Sequence, residues 1–397
     1  MTEPKRIVLD VDTGIDDTLA LCYLLAAARA GECELAGVIG TYGNVLASTA
    51  VRNNRAVLEL FGAAGVPVPR GCVCPSWADG FAVDEGCARF HGVNGLGNVD
   101  PARYMADAAD AAGVVGVVGV AGAADGGADG VETVVGHMAE LDRPAALSLG
   151  GERHDLAPAT SGLACDASCA NRPSEWRDEG VPEGVRLIVD EVRAHGRDVT
   201  ILATGPLTDV DAAIKAAPDI AADMRLVIMG GSLTQEGNCY DLICETNIFQ
   251  DPEAANRVFR AVGDVTMIGL DVTHQCLMTR ADAAAWRATG TPRGAFLADM
   301  VGFYINANES SDPIFLAGSP LHDPLAVAVA LDPGLVACFD VNMMVETATG
   351  NGHGFRGRTI GDPTRLRDPR KTAHVALNVD ASRFTALFRD RLTDLCA

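Results

Sequence analysis

The chain has 397 residues, 48% hydrophobic and 21% charged, a composition that excludes disorder as its main state and can bury a large core. Asp and Glu number 53 against 31 Lys and Arg, a net charge of -22 that argues against a nucleic-acid polymer as partner, since such binding needs a basic surface to release counterions. A small ligand or a metal ion suits the chain better, and most of the surplus carboxylates serve solubility.

The first residues, Met1 to Arg6, lead into an apolar run of only Ile7 to Leu9 before Asp10. No signal-peptide core is present, so a cytoplasmic location is expected. The run from Ile7 to Val11 reads as a first strand. It feeds Asp16-Asp17-Thr18 and the apolar stretch Leu19 to Leu25, with acidic residues in the first turn as a helix N-terminus prefers. Further strands are expected from Leu35 to Gly40, Val199 to Ala203, Leu226 to Met229 and Val265 to Gly269. Each is followed by a polar or Gly-rich turn and then a helix-like stretch. This alternation predicts an α/β fold: an open, mostly parallel central sheet with helices on both faces.

The whole chain, 1–397, reads as one domain with an insertion at about 104–182. That segment is rich in Gly, Ala and Asp and lacks an amphipathic period, and its Gly113-x-x-Gly116-x-x-Gly119-x-x-Gly122 is not the GxGxxG of a dinucleotide loop. No stretch is both long and apolar enough to span a membrane, which takes roughly 18 to 20 residues. The 12 cysteines read as reduced thiols. The close pairs Cys72-x-Cys74, Cys165-x3-Cys169 and Cys239-x4-Cys244 lack the C-x2-C spacing of a structural zinc site, and a metal or disulfide role for Cys165 and Cys169 stays open.

In such sheets ligands bind beyond the carboxyl ends of the strands. The residues found there are Asp10, Asp12, Asp16 and Asp17, then Thr41 to Asn44, Thr204-Gly205-Pro206, Gly230 to Asn238, and Asp271 to His274. Four aspartates within eight residues would repel one another if buried together, and a cation is the simplest remedy. Oxygen ligands suit Ca²⁺ or Mg²⁺, and Ca²⁺ tolerates the irregular geometry. A helix-capping cluster with exposed acids is the plainer alternative. An EF-hand is excluded because Leu21 stands where its twelfth-position Glu belongs. Asp10-Val11-Asp12-Thr13 also resembles the start of a haloacid-dehalogenase-like phosphotransferase, for which Lys215 would be the sole plausible phosphoryl-binding lysine.

The run Asp10-Val11-Asp12-Thr13-Gly14-Ile15-Asp16-Asp17 resembles the N-terminal signature of the inosine-uridine-preferring nucleoside hydrolase family, usually D-x-D-P-G-x-D-D. In family order follow Gly43-Asn44, His91-Gly92-x-Asn94-Gly95-Leu96-Gly97, Thr204 to Thr208, Met229-Gly230-Gly231, Gly237-Asn238, Glu245-x-Asn247, Asp251 to Ala255, and Pro320-Leu321-His322-Asp323-Pro324. The resemblance covers residues 5 to about 100 and 185 to 395. It implies a nucleoside hydrolase-like, Rossmann-related fold and a Ca²⁺ held by Asp12, Asp17, the Thr204 carbonyl and Asp323, with Asp10 supporting these ligands from behind. A ribose pocket of Asp16, Asn44, Asn238, Glu245 and Asn247 is implied as well. So is a homodimer or homotetramer.

Cleaving an N-glycosidic bond builds positive charge on the sugar, which an acidic, oxygen-lined pocket stabilises better in the transition state than in the neutral substrate. The metal would acidify its water, with Asp12 taking the proton. His322 would assist the departing base, with His91 a second candidate; Tyr304 and Phe303 could line the base pocket, and His274 has no assignable role. The expected reaction is hydrolysis of a small-molecule ribonucleoside to base and ribose, base preference not being legible. A nucleoside- or ribose-binding protein without turnover is the non-enzymatic alternative. Three departures stand out: Thr13 replaces the usual proline, which should loosen the loop; Thr246 stands where an aromatic is frequent; and Asp209 replaces a frequent asparagine.

Overall fold

The computed structural model describes residues 4–105, 165–166, 180–239, 242–311, 313–349 and 355–397. Most of the segment expected as an insertion, 104–182, lies outside the described residues, as do Cys169 and the side chain of Cys165.

Seven strands form the main sheet: β1 Lys5–Val11, β2 Cys33–Gly40, β3 Val199–Ala203, β4 Arg225–Met229, β5 Val265–Ile268, β6 Val336–Val341 and β7 Ala373–Val379. Their spatial order is β6-β7-β5-β4-β3-β1-β2. All neighbouring pairs run parallel except β6 against β7.

The inner strands β1, β3, β4 and β5 carry apolar runs, Ile7 to Leu9, Ile201 to Ala203, Leu226 to Met229 and Met267-Ile268, because both faces of the sheet are covered. Successive side chains point to opposite faces. Ile7 and Leu9 pack with Leu24, Leu325 and Phe388, from the helices Ile15–Arg29, His322–Leu331 and Ala381–Cys396. Val8 and Ile201 pack on the other side with Val185, Val210 and Val258, from the helices Glu183–His195, Thr208–Ala216 and Pro252–Ala261. The expected α/β architecture is therefore the observed one. The chain steps from β1 outward to β2 and then returns to β3 on the other side of β1. That reversal opens a crevice at the carboxyl ends of β1 and β3, where an open α/β sheet binds its ligand.

The reduced-thiol expectation fails at Cys74, which is disulfide-bonded. Cys22, Cys33, Cys72 and Cys276 are buried free thiols, which behave as small apolar side chains. Among the described residues no helix is long and apolar enough to cross a membrane.

Candidate active site

The crevice is built first by β1. Asp10 and Asp12 are buried at its end, the chain turns at Thr13 and Gly14, and Asp16 and Asp17 open the next helix, all four carboxyls being sequestered from solvent. Thr13 has a φ of 45°, a left-handed conformation that proline cannot adopt and that a β-branched residue rarely does. Its hydroxyl donates to Asn54 Oδ1 at 3.0 Å. This loop is pinned rather than loosened by the threonine. Gly14 is required by close approach, since a Cβ there would lie 2.5 Å from His91 Nδ1.

Asn44 binds Asp12 twice, donating its N–H to Oδ2 at 2.8 Å and its amide nitrogen to Oδ1 at 3.0 Å. Asp17 accepts from the Gly14 N–H at 2.7 Å and the Thr204 hydroxyl at 2.6 Å. One oxygen each of Asp16, Asp17 and Asp323 lies within 4.8 Å of the others, all three residues buried. Burial raises every one of these carboxyls above its ordinary value, Asp16 to about 6. Such crowding is what a metal ion relieves, and the trio nearest to sharing one includes Asp16, to which the family resemblance gives a ribose-binding role.

Behind them lies Asp10, which holds Thr204 through its own carbonyl, accepting the Thr204 N–H at 2.9 Å. Neither oxygen of the Asp10 side chain has a hydrogen-bond donor. Burial first and the adjacent Asp209 second push its carboxyl well above the usual carboxylate range. Asp209 receives the Cys72 N–H at 2.6 Å.

The opposite wall comes from β3 and β4 and the helix after them. Asn247 donates its amide nitrogen to the carbonyls of Thr204, at 2.8 Å, and Met229, at 3.1 Å. Glu245 caps this short helix, accepting the N–H groups of Gly231, Asn247 and Ile248 at 2.9, 2.9 and 3.1 Å. Asn238 is exposed on the loop above and is tied by its Oδ1 to Thr246.

The histidines close the mouth. His91 is buried at the end of the helix Glu85–His91, its Nδ1 accepts the Ile15 N–H at 3.1 Å, and its ring stacks on Tyr304 with centroids 5.7 Å apart. Burial lowers its pKa to about 4, so the ring is neutral with its proton at Nε2. His322 is partly buried next to Asp323, with Nδ1 2.8 Å from the Thr273 hydroxyl. Burial, then the rings of His274 and His91, hold His322 well below an ordinary histidine. Phe303 packs against the main core. Lys215 is ion-paired with Asp211 at 2.6 Å at the far end of its helix, which leaves the phosphotransferase reading without its lysine.

Sequence reasoning missed the partners of the histidines. Thr273 and Gln235 bind His322 and His274, and Phe315 packs on His274. The segment Asp271 to His274 is visible as a polar strand end, but nothing local in it reveals partners about 40 or 50 residues away.

The model of the family described as inosine-uridine preferring nucleoside hydrolase matches residues 7–386. An inosine-uridine preferring nucleoside hydrolase of Leishmania major is 28% identical over 391 residues, 98% of each chain. A pyrimidine-specific ribonucleoside hydrolase RihA of Salmonella agona is 29% identical over 387 residues, 97% of each. Among solved structures, a purine-preferring ribonucleoside hydrolase from Gardnerella vaginalis superposes with a TM-score of 0.74 at 37% identity, covering 99% of both chains. The chain belongs to the inosine-uridine preferring nucleoside hydrolase family and is a nucleoside hydrolase, an enzyme of ribonucleoside N-glycosidic hydrolysis.

Proposed function

We propose that the crevice hydrolyses ribonucleosides to free base and ribose with Ca²⁺ as its cation. The observation that carries this reading is the convergence of buried Asp16, Asp17 and Asp323 at the β1–β3 switch. The residues fit a hard cation: the donors are all oxygen, and Asp16 Oδ1 is buried with no hydrogen-bond partner. Asp12, Asp17, Asp323 and the Thr204 carbonyl would hold it, with Asp16 close enough to share in it. Bound there, a divalent cation offsets the clustered negative charge and acidifies water.

The residues divide the remaining work. Asn44 orients Asp12, whose carboxylate takes a proton from the attacking water. Asp16, Asn44, Asn238, Glu245 and Asn247 bind the ribose hydroxyls, and the negative charge of the carboxylates among them favours the cationic sugar of the transition state. The base leaves with the electron pair of the glycosidic bond, and a ring N–H of His322 hydrogen-bonds the nitrogen on which negative charge develops. Neutral His91, stacked on Tyr304, offers its Nε2 proton to the ligand.

The test is release of base and reducing sugar from inosine, uridine, adenosine, guanosine and cytidine, with and without a calcium chelator, beside Asp12→Asn. Turnover that is chelator-sensitive, restored by Ca²⁺ and reduced about 10²-fold or more in Asp12→Asn supports the reading. Nucleoside binding without turnover on any of the five would replace it with a binding role. Full activity in chelator would remove the cation.

A further inference from the structure

His274 has no part in the scheme above, yet its ring lies against His322, with centroids 5.5 Å apart and planes at 61°. We propose that His274, held by Gln235, is a positioning residue that fixes the His322 ring for departure of the base. The inference rests on the leaving-group role given to His322 above.

His274 is held on two sides. Gln235 donates its amide nitrogen to His274 Nδ1 at 2.7 Å; an amide nitrogen has no lone pair to offer, so Nδ1 accepts and the proton sits on Nε2. The Phe315 ring meets His274 edge to face, with centroids 5.4 Å apart. Gln235 is itself anchored. Asp271 accepts the Leu233 and Thr234 N–H groups at 2.8 and 2.7 Å, and Arg358 donates to the Gln235 carbonyl at 2.8 Å.

Two consecutive residues thus grip His322 from the end of the short helix Leu270–Thr273. The Thr273 hydroxyl meets Nδ1, which fixes one ring nitrogen but leaves the ring free to tilt about that contact. The His274 ring is the wall that removes the tilt. A leaving-group hydrogen bond works only when the donor is already aimed where charge develops, so a loosened ring loses the assistance while the rest of the site stays intact. Gln235 also stands three residues before Asn238, so the loop that carries the ribose-binding asparagine also holds the leaving-group end of the site.

The prediction is a selective defect. His274→Ala should lower kcat on the best nucleoside by about 10-fold or more, yet leave kcat/KM on 4-nitrophenyl β-D-ribofuranoside within about 3-fold, because nitrophenolate departs without help. His274→Phe keeps a ring against His322 and Phe315 and should recover most of the loss; Gln235→Ala should show a weaker form of the same selectivity. The double variant His274→Ala/His322→Ala should be no worse than His322→Ala alone. Equal losses on both substrates, additive losses in the double variant, or a His274→Phe variant as poor as His274→Ala would each overturn the inference. Wild-type protein that cleaves neither substrate would instead overturn the hydrolase reading beneath it.

Discussion

Thr246 donates both its backbone N–H and its hydroxyl to the Oδ1 of Asn238, each at 3.0 Å. The family pattern often places an aromatic at this position, so this chain anchors its ribose loop by hydrogen bonds where a ring would pack. Thr246→Val keeps the N–H bond and the shape but loses the hydroxyl bond, worth about 1 kcal/mol. KM for the best nucleoside should rise about fivefold with kcat little changed, and Thr246→Ser should behave as wild type. An unchanged KM in Thr246→Val would show that the asparagine is held by the N–H alone.

Gly14 tests how tightly the site is assembled. Its missing Cβ would stand 2.5 Å from His91 Nδ1 and 2.8 Å from Asn44 Nδ2, so Gly14→Ala must displace the ring that accepts the Ile15 N–H and the amide that orients Asp12. Both neighbours are side-chain tips, so the fold should survive, with an unchanged far-UV circular dichroism spectrum. The displacement is of the size that costs about 10²-fold in kcat/KM. An alanine variant with full activity would mean that neither contact matters for turnover.

The same geometry explains what the sequence made legible. Five strands stand out because a sheet covered on both faces leaves no polar alternation, and Val199–Ala203 is observed with the bounds expected. β6 and β7 escape notice: β6 is an edge strand whose residues Ala337 to Asp340 are exposed, so its composition follows solvent rather than core, and His374 and Asn378 interrupt the apolar run of β7. The carboxylate cluster was visible because its members are adjacent in sequence. The pairing of Asp10 with Asp209, across about 200 residues, and of Gln235 with His274, across 39, is set by tertiary packing and has no local mark.

Removal of the cation should register in stability as well as in rate. Asp16, Asp17 and Asp323 repel one another when the site is empty, so a bound ion stabilises the native state by mass action, by about 2.7 kcal/mol at 100 times its Kd. Calorimetry should show Tm rising with added Ca²⁺ and falling back with chelator. Asp323→Asn removes one of the crowded charges, so its apo form should be at least as stable as wild type while its calcium response is lost. A calcium response that survives Asp323→Asn would place the ion elsewhere.

His91 gives the pH prediction with a definite sign. Burial lowers its pKa to about 4, against about 6.5 when the chain unfolds, so between these values the unfolded state binds the extra proton. Native stability from this group is therefore complete above about 6.5 and is lost as pH falls to about 4, by about 3 kcal/mol at full extent. Asp16, raised by burial to about 6, works in the opposite direction over much of the same range, so the total curve conceals both groups. The difference between wild type and His91→Asn isolates the histidine. In calcium-free urea denaturation from pH 7 to pH 4.5, wild type should lose stability relative to His91→Asn as the medium is acidified. A difference that stays flat would mean that the native ring takes up a proton as readily as the unfolded one, which would make His91 available as an acid and end its role as a neutral donor stacked on Tyr304.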